Sequence, residues 1–123
     1  MKKKTSESII CIIGPTASGK SKLALELCRK DLFKRPEIIS MDSAQIYKTI
    51  DIATAKPNKK EQKEVKHHLI DICDPKDSYS VNKFIEDTLK VIRKIKKNEG
   101  TPIIVGGTMM YFNRLINGIH NVP

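Results

Sequence analysis

Residues 9–28 read Ile9-Ile10-Cys11-Ile12-Ile13-Gly14-Pro15-Thr16-Ala17-Ser18-Gly19-Lys20-Ser21-Lys22-Leu23-Ala24-Leu25-Glu26-Leu27-Cys28, and this stretch decides the fold. Its middle, Gly14 to Ser21, fits G-x-x-x-x-G-K-S/T, the phosphate-binding loop. The continuous apolar run before it is what a buried parallel strand requires. The residues after it are good helix formers, and helical spacing sets Leu23, Ala24, Leu27 and Cys28 on one face. Strand, glycine loop and helix follow in the order the motif needs. Gly14 and Gly19 admit backbone angles closed to other residues, so that successive N–H groups can converge on an oxyanion. The helix adds the positive end of its dipole. Lys20 is spaced to reach a terminal phosphate and the Ser21 hydroxyl to ligate Mg2+. Gly14, Pro15, Thr16, Ala17, Ser18, Gly19, Lys20 and Ser21 are therefore the expected phosphate or diphosphate site, against the alternative of a chance glycine turn. The loop does not say which molecule carries the phosphate.

The chain has 123 residues, which suits one domain, residues 1–123, with a real core. Apolar residues at 39% and charged residues at 30% exclude a disordered polar chain. The formal net charge of +9 fits a polyanionic partner such as RNA, and equally a solvated basic surface. Three Tyr, three Phe and no Trp argue against a sheet that stacks bases. Cys11, Cys28 and Cys73 are far apart and odd in number, and read as buried thiols of a reducing cytoplasm. The apolar run after Lys2-Lys3-Lys4 is five residues long, a strand and not a signal peptide or membrane span.

After a break at Pro36, Glu37-Ile38-Ile39-Ser40-Met41 reads as a second strand that ends at Asp42-Ser43-Ala44-Gln45. Ligands of open parallel sheets sit beyond the carboxyl ends of the strands, which places Asp42 on the rim of the phosphate loop. There it can be a metal partner, a general base or a helix cap. Residues 46–57 read as a loop across the rim, and 58–66 as a short charged helix with a solvated face. His67-His68 precede Leu69-Ile70-Asp71-Ile72, a third extended segment. Adjacent strand residues face opposite ways, so the two histidines cannot chelate one metal and read as structural. From Val81 to Asn98 the pattern is helical. Val81, Phe84, Ile85, Thr88, Leu89, Ile92 and Ile95 face inward, Lys83, Lys90, Lys94 and Lys97 lie off that stripe, and Gly100 caps the end. Pro102-Ile103-Ile104-Val105 is a fourth strand running into Gly106-Gly107-Thr108, a tight turn or a close approach to a ligand. A last helix from Met109 closes near Asn117-Gly118. The alternation gives an α/β fold of the P-loop NTPase-like kind, a largely parallel sheet flanked by helices.

Five blocks carry a resemblance. They are the glycine loop, Ser40-Met41-Asp42-Ser43-Ala44-Gln45-Ile46-Tyr47, Ile52-Ala53-Thr54-Ala55-Lys56-Pro57, His67-His68-Leu69-Ile70-Asp71 and Val105-Gly106-Gly107-Thr108-Met109-Met110-Tyr111-Phe112. In order and spacing the chain resembles the tRNA dimethylallyltransferases, departing from them at Ser21, where Thr is common, and Ala53, where Gly is usual. The resemblance implies transfer of a dimethylallyl group from dimethylallyl diphosphate to N6 of the adenosine 3′ of a tRNA anticodon. It implies that the loop and Lys20 hold the diphosphate, that Ser21 holds Mg2+, and that Asp42 is the general base. Asp42, Ser43, Ala44, Gln45 and Thr108 would contact the adenosine, with Thr108 counted beside Asp42 and Lys20 in the catalytic set. The lysine-rich surface would hold the tRNA backbone. The expected protein is a cytoplasmic monomer without a membrane anchor.

Members of that family are longer, with further strands, a helical tRNA-binding region and a downstream catalytic arginine. The chain is therefore expected to be the N-terminal portion of such a protein, its sheet left with an unpaired edge. Two other readings remain open: a small nucleotide-kinase-type phosphotransferase, and a non-catalytic remnant that binds RNA or diphosphate. The first needs lid arginines, and Arg29, Arg35, Arg93 and Arg114 form no evident lid.

Overall fold

A computed structural model describes residues 9–14, 19–41, 57–70, 80–106 and 109–120 of the chain. Strand β1 spans Ile10–Ile13 and helix α1 Lys20–Arg29. Strand β2 spans Pro36–Met41, helix α2 Lys59–Glu64 and the two-residue strand β3 His67–His68. Helix α3 spans Val81–Lys97, strand β4 Thr101–Gly106 and helix α4 Met109–His120. The four strands form one sheet in the order β1-β4-β2-β3, every pair parallel. The expected α/β architecture is therefore present. No helix among the described residues is long and apolar enough to cross a membrane.

β4 lies inside the sheet and all six of its residues are buried, which is why it reads as an unbroken apolar run. Its side chains alternate between two cores. Ile103 and Val105 pack with Ile38 of β2 and Ala24 of α1. Ile104 packs with Ile39 and Met41 of β2, Phe84, Ile92 and Ile95 of α3, and Phe112 and Leu115 of α4. One helix thus covers one face and two cover the other.

Several local expectations change. On α1 the buried side chains are Lys20, Ala24 and Leu25, whereas Leu23 is 52% exposed, so the helix is rotated from the face that Leu23 suggested. Cys11 is exposed on β1 and Cys28 is half-buried, its thiol pushed up to about 11 by desolvation and by Glu64, while Cys73 lies outside the described residues. The third strand is the histidine pair itself, because Leu69 turns into the left-handed region at φ 64 and ends it. α3 carries the expected inward stripe, with Phe84, Thr88, Ile92 and Ile95 buried and Ser80 Oγ accepting the Lys83 N–H at 3.1 Å. At its other end Gly100 N–H reaches Ile95 O at 2.8 Å and Glu99 N–H reaches Lys96 O at 3.0 Å, a Schellman turn. Its left-handed residue is Glu99, φ 60, and not Gly100. α4 continues through Gly118, where a Cβ would meet Leu89 Cδ1 of α3 at 2.9 Å, so this glycine serves packing and does not close the helix.

α2 has no buried residue, as its charge run suggested. Asn58 and Glu61 form a reciprocal capping box, with Asn58 Oδ1 accepting the Glu61 N–H at 2.8 Å and Glu61 Oε1 the Asn58 N–H at 2.9 Å. The far end of α2 is tied to α1 by Arg29, which donates to both oxygens of Glu64 and, at 2.7 Å, to Glu26. That guanidinium holds the Glu64 carboxyl below its usual range.

Candidate phosphate site

Register brings the strand exits together. Ile13 of β1 and Met41 of β2 both stand beside Gly106 of β4. The chain therefore leaves all three strands at one level, and the residues that follow are Gly14, Asp42 and Gly107. The Gly14 N–H extends the ladder by donating to Gly106 O at 3.1 Å, which ties the start of the loop to the central strand.

The loop re-enters described structure at Gly19, whose φ of 82 lies in the left-handed region. A Cβ there would meet nothing within 4 Å. Glycine is needed at this position for its backbone angle, and the space beside it is open. Gly19 also caps α1, its carbonyl accepting the Leu23 N–H at 3.0 Å. No side chain caps this end and no acid stands in the first turn. The first N–H groups of a helix have no acceptor inside it, so this end of α1 presents donors and a positive dipole toward the rim. Lys20 opens the helix and is 7% exposed, and Ser21 beside it is half-buried. A buried ammonium, a hydroxyl and a turn of backbone donors, with no acid in that first turn, supply the positive charge and donors that an anion would use.

Of the expected phosphate-site residues, Gly14 follows β1, Gly19 precedes α1, and Lys20 and Ser21 stand in its first turn. Pro15, Thr16, Ala17, Ser18, Asp42, Ser43, Ala44, Gln45 and Thr108 lie outside the described residues. Gly106 has a different reason from either one expected: a Cβ would come within 2.6 Å of Phe112 Cε2 and 3.2 Å of Met41 Cβ. The space over that strand end is filled by α4. The two histidines have separate structural partners. His67 Nδ1–H donates to Val65 O at 2.7 Å and His68 Nε2–H to Glu37 Oε1 at 2.7 Å. The tie between Gly14 and Gly106 had no signal in the sequence, since the two stand 92 positions apart and only strand order brings them together.

A four-stranded parallel sheet with α1 on one face and α3 and α4 on the other places the chain in the P-loop NTPase-like fold class. Within that class the chain belongs to the IPP transferase family, whose profile matches residues 45–123. It is 50% identical over 115 residues to a tRNA dimethylallyltransferase of Coxiella burnetii, covering 94% of this chain and 36% of that protein. A tRNA dimethylallyltransferase of Psychrobacter sp. is 47% identical over 116 residues, 94% of this chain and 31% of that one. The crystal structure of the full-length tRNA isopentenylpyrophosphate transferase of Bacillus halodurans superposes with a TM-score of 0.81 at 39% identity, covering 95% of this chain and 38% of that chain. The chain spans about a third of the length of the curated relatives it matches.

Proposed function

We propose that this chain is the diphosphate-holding portion of an enzyme that transfers a dimethylallyl group from dimethylallyl diphosphate to N6 of the adenosine 3′ of the anticodon in tRNA. The observation that carries the reading is the rim. Gly19 in its left-handed conformation, the buried Lys20 and the open end of α1 stand at the level where β1, β2 and β4 end, in a chain of the IPP transferase family.

In the transfer, the N6 lone pair bonds to C1 of the allyl group as the C1–O bond breaks and its electron pair leaves with the diphosphate. The leaving group gains charge as the bond lengthens, and the Lys20 ammonium and the backbone donors of α1 stabilise that charge. Asp42, directly after β2, accepts the N6 proton. Ser43, Ala44, Gln45 and Thr108 hold the adenosine, which must leave its stack to reach the rim. Ser21, in the first turn of α1, offers a hard hydroxyl oxygen and is the residue that would hold Mg2+. When bound there, the ion neutralises charge on the diphosphate.

The test is a transfer assay with labelled dimethylallyl diphosphate and an unmodified tRNA. It is run on this chain and on this chain continued with the remaining length of the Coxiella burnetii relative. Label in tRNA from the continued protein, abolished by Asp42→Ala, is the expected result. No label, with ATP consumed instead, overturns the proposal in favour of a phosphotransferase.

A further inference from the structure

The outer face of α3 carries a line of cations that the phosphate site does not use. Phe84, Thr88, Ile92 and Ile95 take the inner face. Lys83, Lys90, Lys94 and Lys97, spaced seven, four and three apart, fall on the opposite face as one stripe, all exposed. At about 1.5 Å per residue the stripe is ~21 Å long. Glu86 and Asp87 lie in its first half. From Lys90 to Lys97 there are five cations, Arg93 and Lys96 included, and no acid.

The fold extends this surface with residues some sixty positions away. Thr101 Oγ1 donates to Lys34 O at 2.9 Å, Arg35 Nη1 donates to Asn98 O at 3.1 Å, and Lys34 Nζ stands 3.5 Å from Glu99 Oε2. Lys34 and Arg35 therefore adjoin the end of α3. Helix electrostatics account for Lys94, Lys96 and Lys97, because cations in the last turn favour the dipole. They do not account for Lys90 in mid-helix, nor for Lys83, whose place in the first turn opposes it. Because α3 runs back to the start of β4, the stripe leads from the rim side of the sheet to its opposite end.

We infer that the outer face of α3, with Lys34 and Arg35, is a docking surface for an RNA phosphate backbone, separate from the diphosphate site. The inference rests on the tRNA reading above: an RNA that presents its base at the rim lays its backbone along α3. Charge complementarity singles out RNA, since the acid-free run of five cations from Lys90 to Lys97 matches a polymer with a phosphate at every step.

The test compares two variants that each remove four positive charges. One is K90Q/R93Q/K94Q/K97Q on α3 and the other K59Q/K60Q/K63Q/K66Q on and beside α2. Binding of an unmodified tRNA transcript is measured from about 50 to about 300 mM KCl, together with affinity for dimethylallyl diphosphate. For the α3 variant the expected result is tRNA binding at least about tenfold weaker near 0.1 M salt. The slope of log K against log salt should also be shallower by about 3. Diphosphate affinity is unchanged and the α2 variant stays close to the unaltered chain. Equal losses in both variants, no loss in either, or no tRNA binding by the unaltered chain overturns the inference. Loss confined to the α3 variant in a protein that fails the transfer assay leaves the docking surface standing and sinks the prenyl-transfer reading alone.

Discussion

Gly19 and Gly106 are both glycines at the rim, and they resist substitution for opposite reasons. Gly19 has the positive φ and open space, so alanine meets only the left-handed penalty, about 1–2 kcal/mol. Gly106 has ordinary backbone but no room, since alanine must push Phe112 out of the core against the 2.6 Å approach. Overpacking of that kind costs about 1–3 kcal/mol. Urea unfolding should therefore show both variants destabilised, with Phe112→Leu restoring stability to Gly106→Ala and not to Gly19→Ala. Equal behaviour of the two pairs would contradict the assignment. His67 gives a pH dependence. Desolvation holds its imidazole below the ordinary value of 6.5, so the unfolded chain takes up the proton at a higher pH than the folded one. Its contribution is intact above about pH 6.5 and is lost as pH falls through the lower folded value. The urea midpoint should drop between about pH 7.5 and about pH 5.5, and the drop should shrink in His67→Asn, which keeps a donor for Val65 O. A drop of the same size in both proteins would assign the effect to other groups.

Elements were legible where one interaction sets them and obscure where two compete. The α3 stripe follows from apolar spacing alone, and its buried residues fall on it. Leu23 and Leu25 of α1 are equally apolar, and only contact with the sheet decides that Leu25 goes in. Leu69-Ile70 has the composition of a strand, but the positive φ of Leu69 stops β3 at the histidines. At the end of α3 a glycine one position away drew the cap assignment, while the turn puts Glu99 in the left-handed state. Gly100 is fixed by crowding instead, since a Cβ there would lie 2.8 Å from Ile95 Cγ2 and 2.9 Å from Arg35 O. Glu99→Gly should accordingly stabilise the chain by about 0.5–1 kcal/mol, the left-handed penalty less the extra entropy glycine gains unfolded. The ion pair it loses, to Lys34 at 3.5 Å, is exposed and worth little. Thermal unfolding should show a midpoint raised by ~2–5 °C. A lower midpoint would mean that the Schellman turn is not what limits this end.

At the scale of the molecule, the sequence carries the order of strands and helices and the convergence of functional segments on one rim. It does not carry the order of strands across the sheet, since the insertion of β4 between β1 and β2 is settled by contacts between residues far apart in the chain. That order has a consequence for association. It leaves β1, the strand that feeds the phosphate loop, paired among the described residues with β4 alone. Cys11 and Ile13 stand beside Ile104 and Gly106, on the side of the sheet that α3 and α4 cover farther in. Yet Cys11 is exposed and Ile13 is 41% exposed, so the helices leave both partly open to solvent. Ile10-Cys11-Ile12-Ile13 has no charge, no proline and three β-branched residues, none of the features that keep an edge strand from pairing with another chain. The 123-residue chain should therefore self-associate through β1. In sedimentation velocity up to about 100 μM, its sedimentation coefficient should rise with concentration. Cys11→Lys, which sets a charge on the open face without entering the core, should hold it at the monomer value at every concentration. A native chain that stays monomeric throughout, or a Cys11→Lys chain that associates as strongly, would show that the β1 edge is closed in solution.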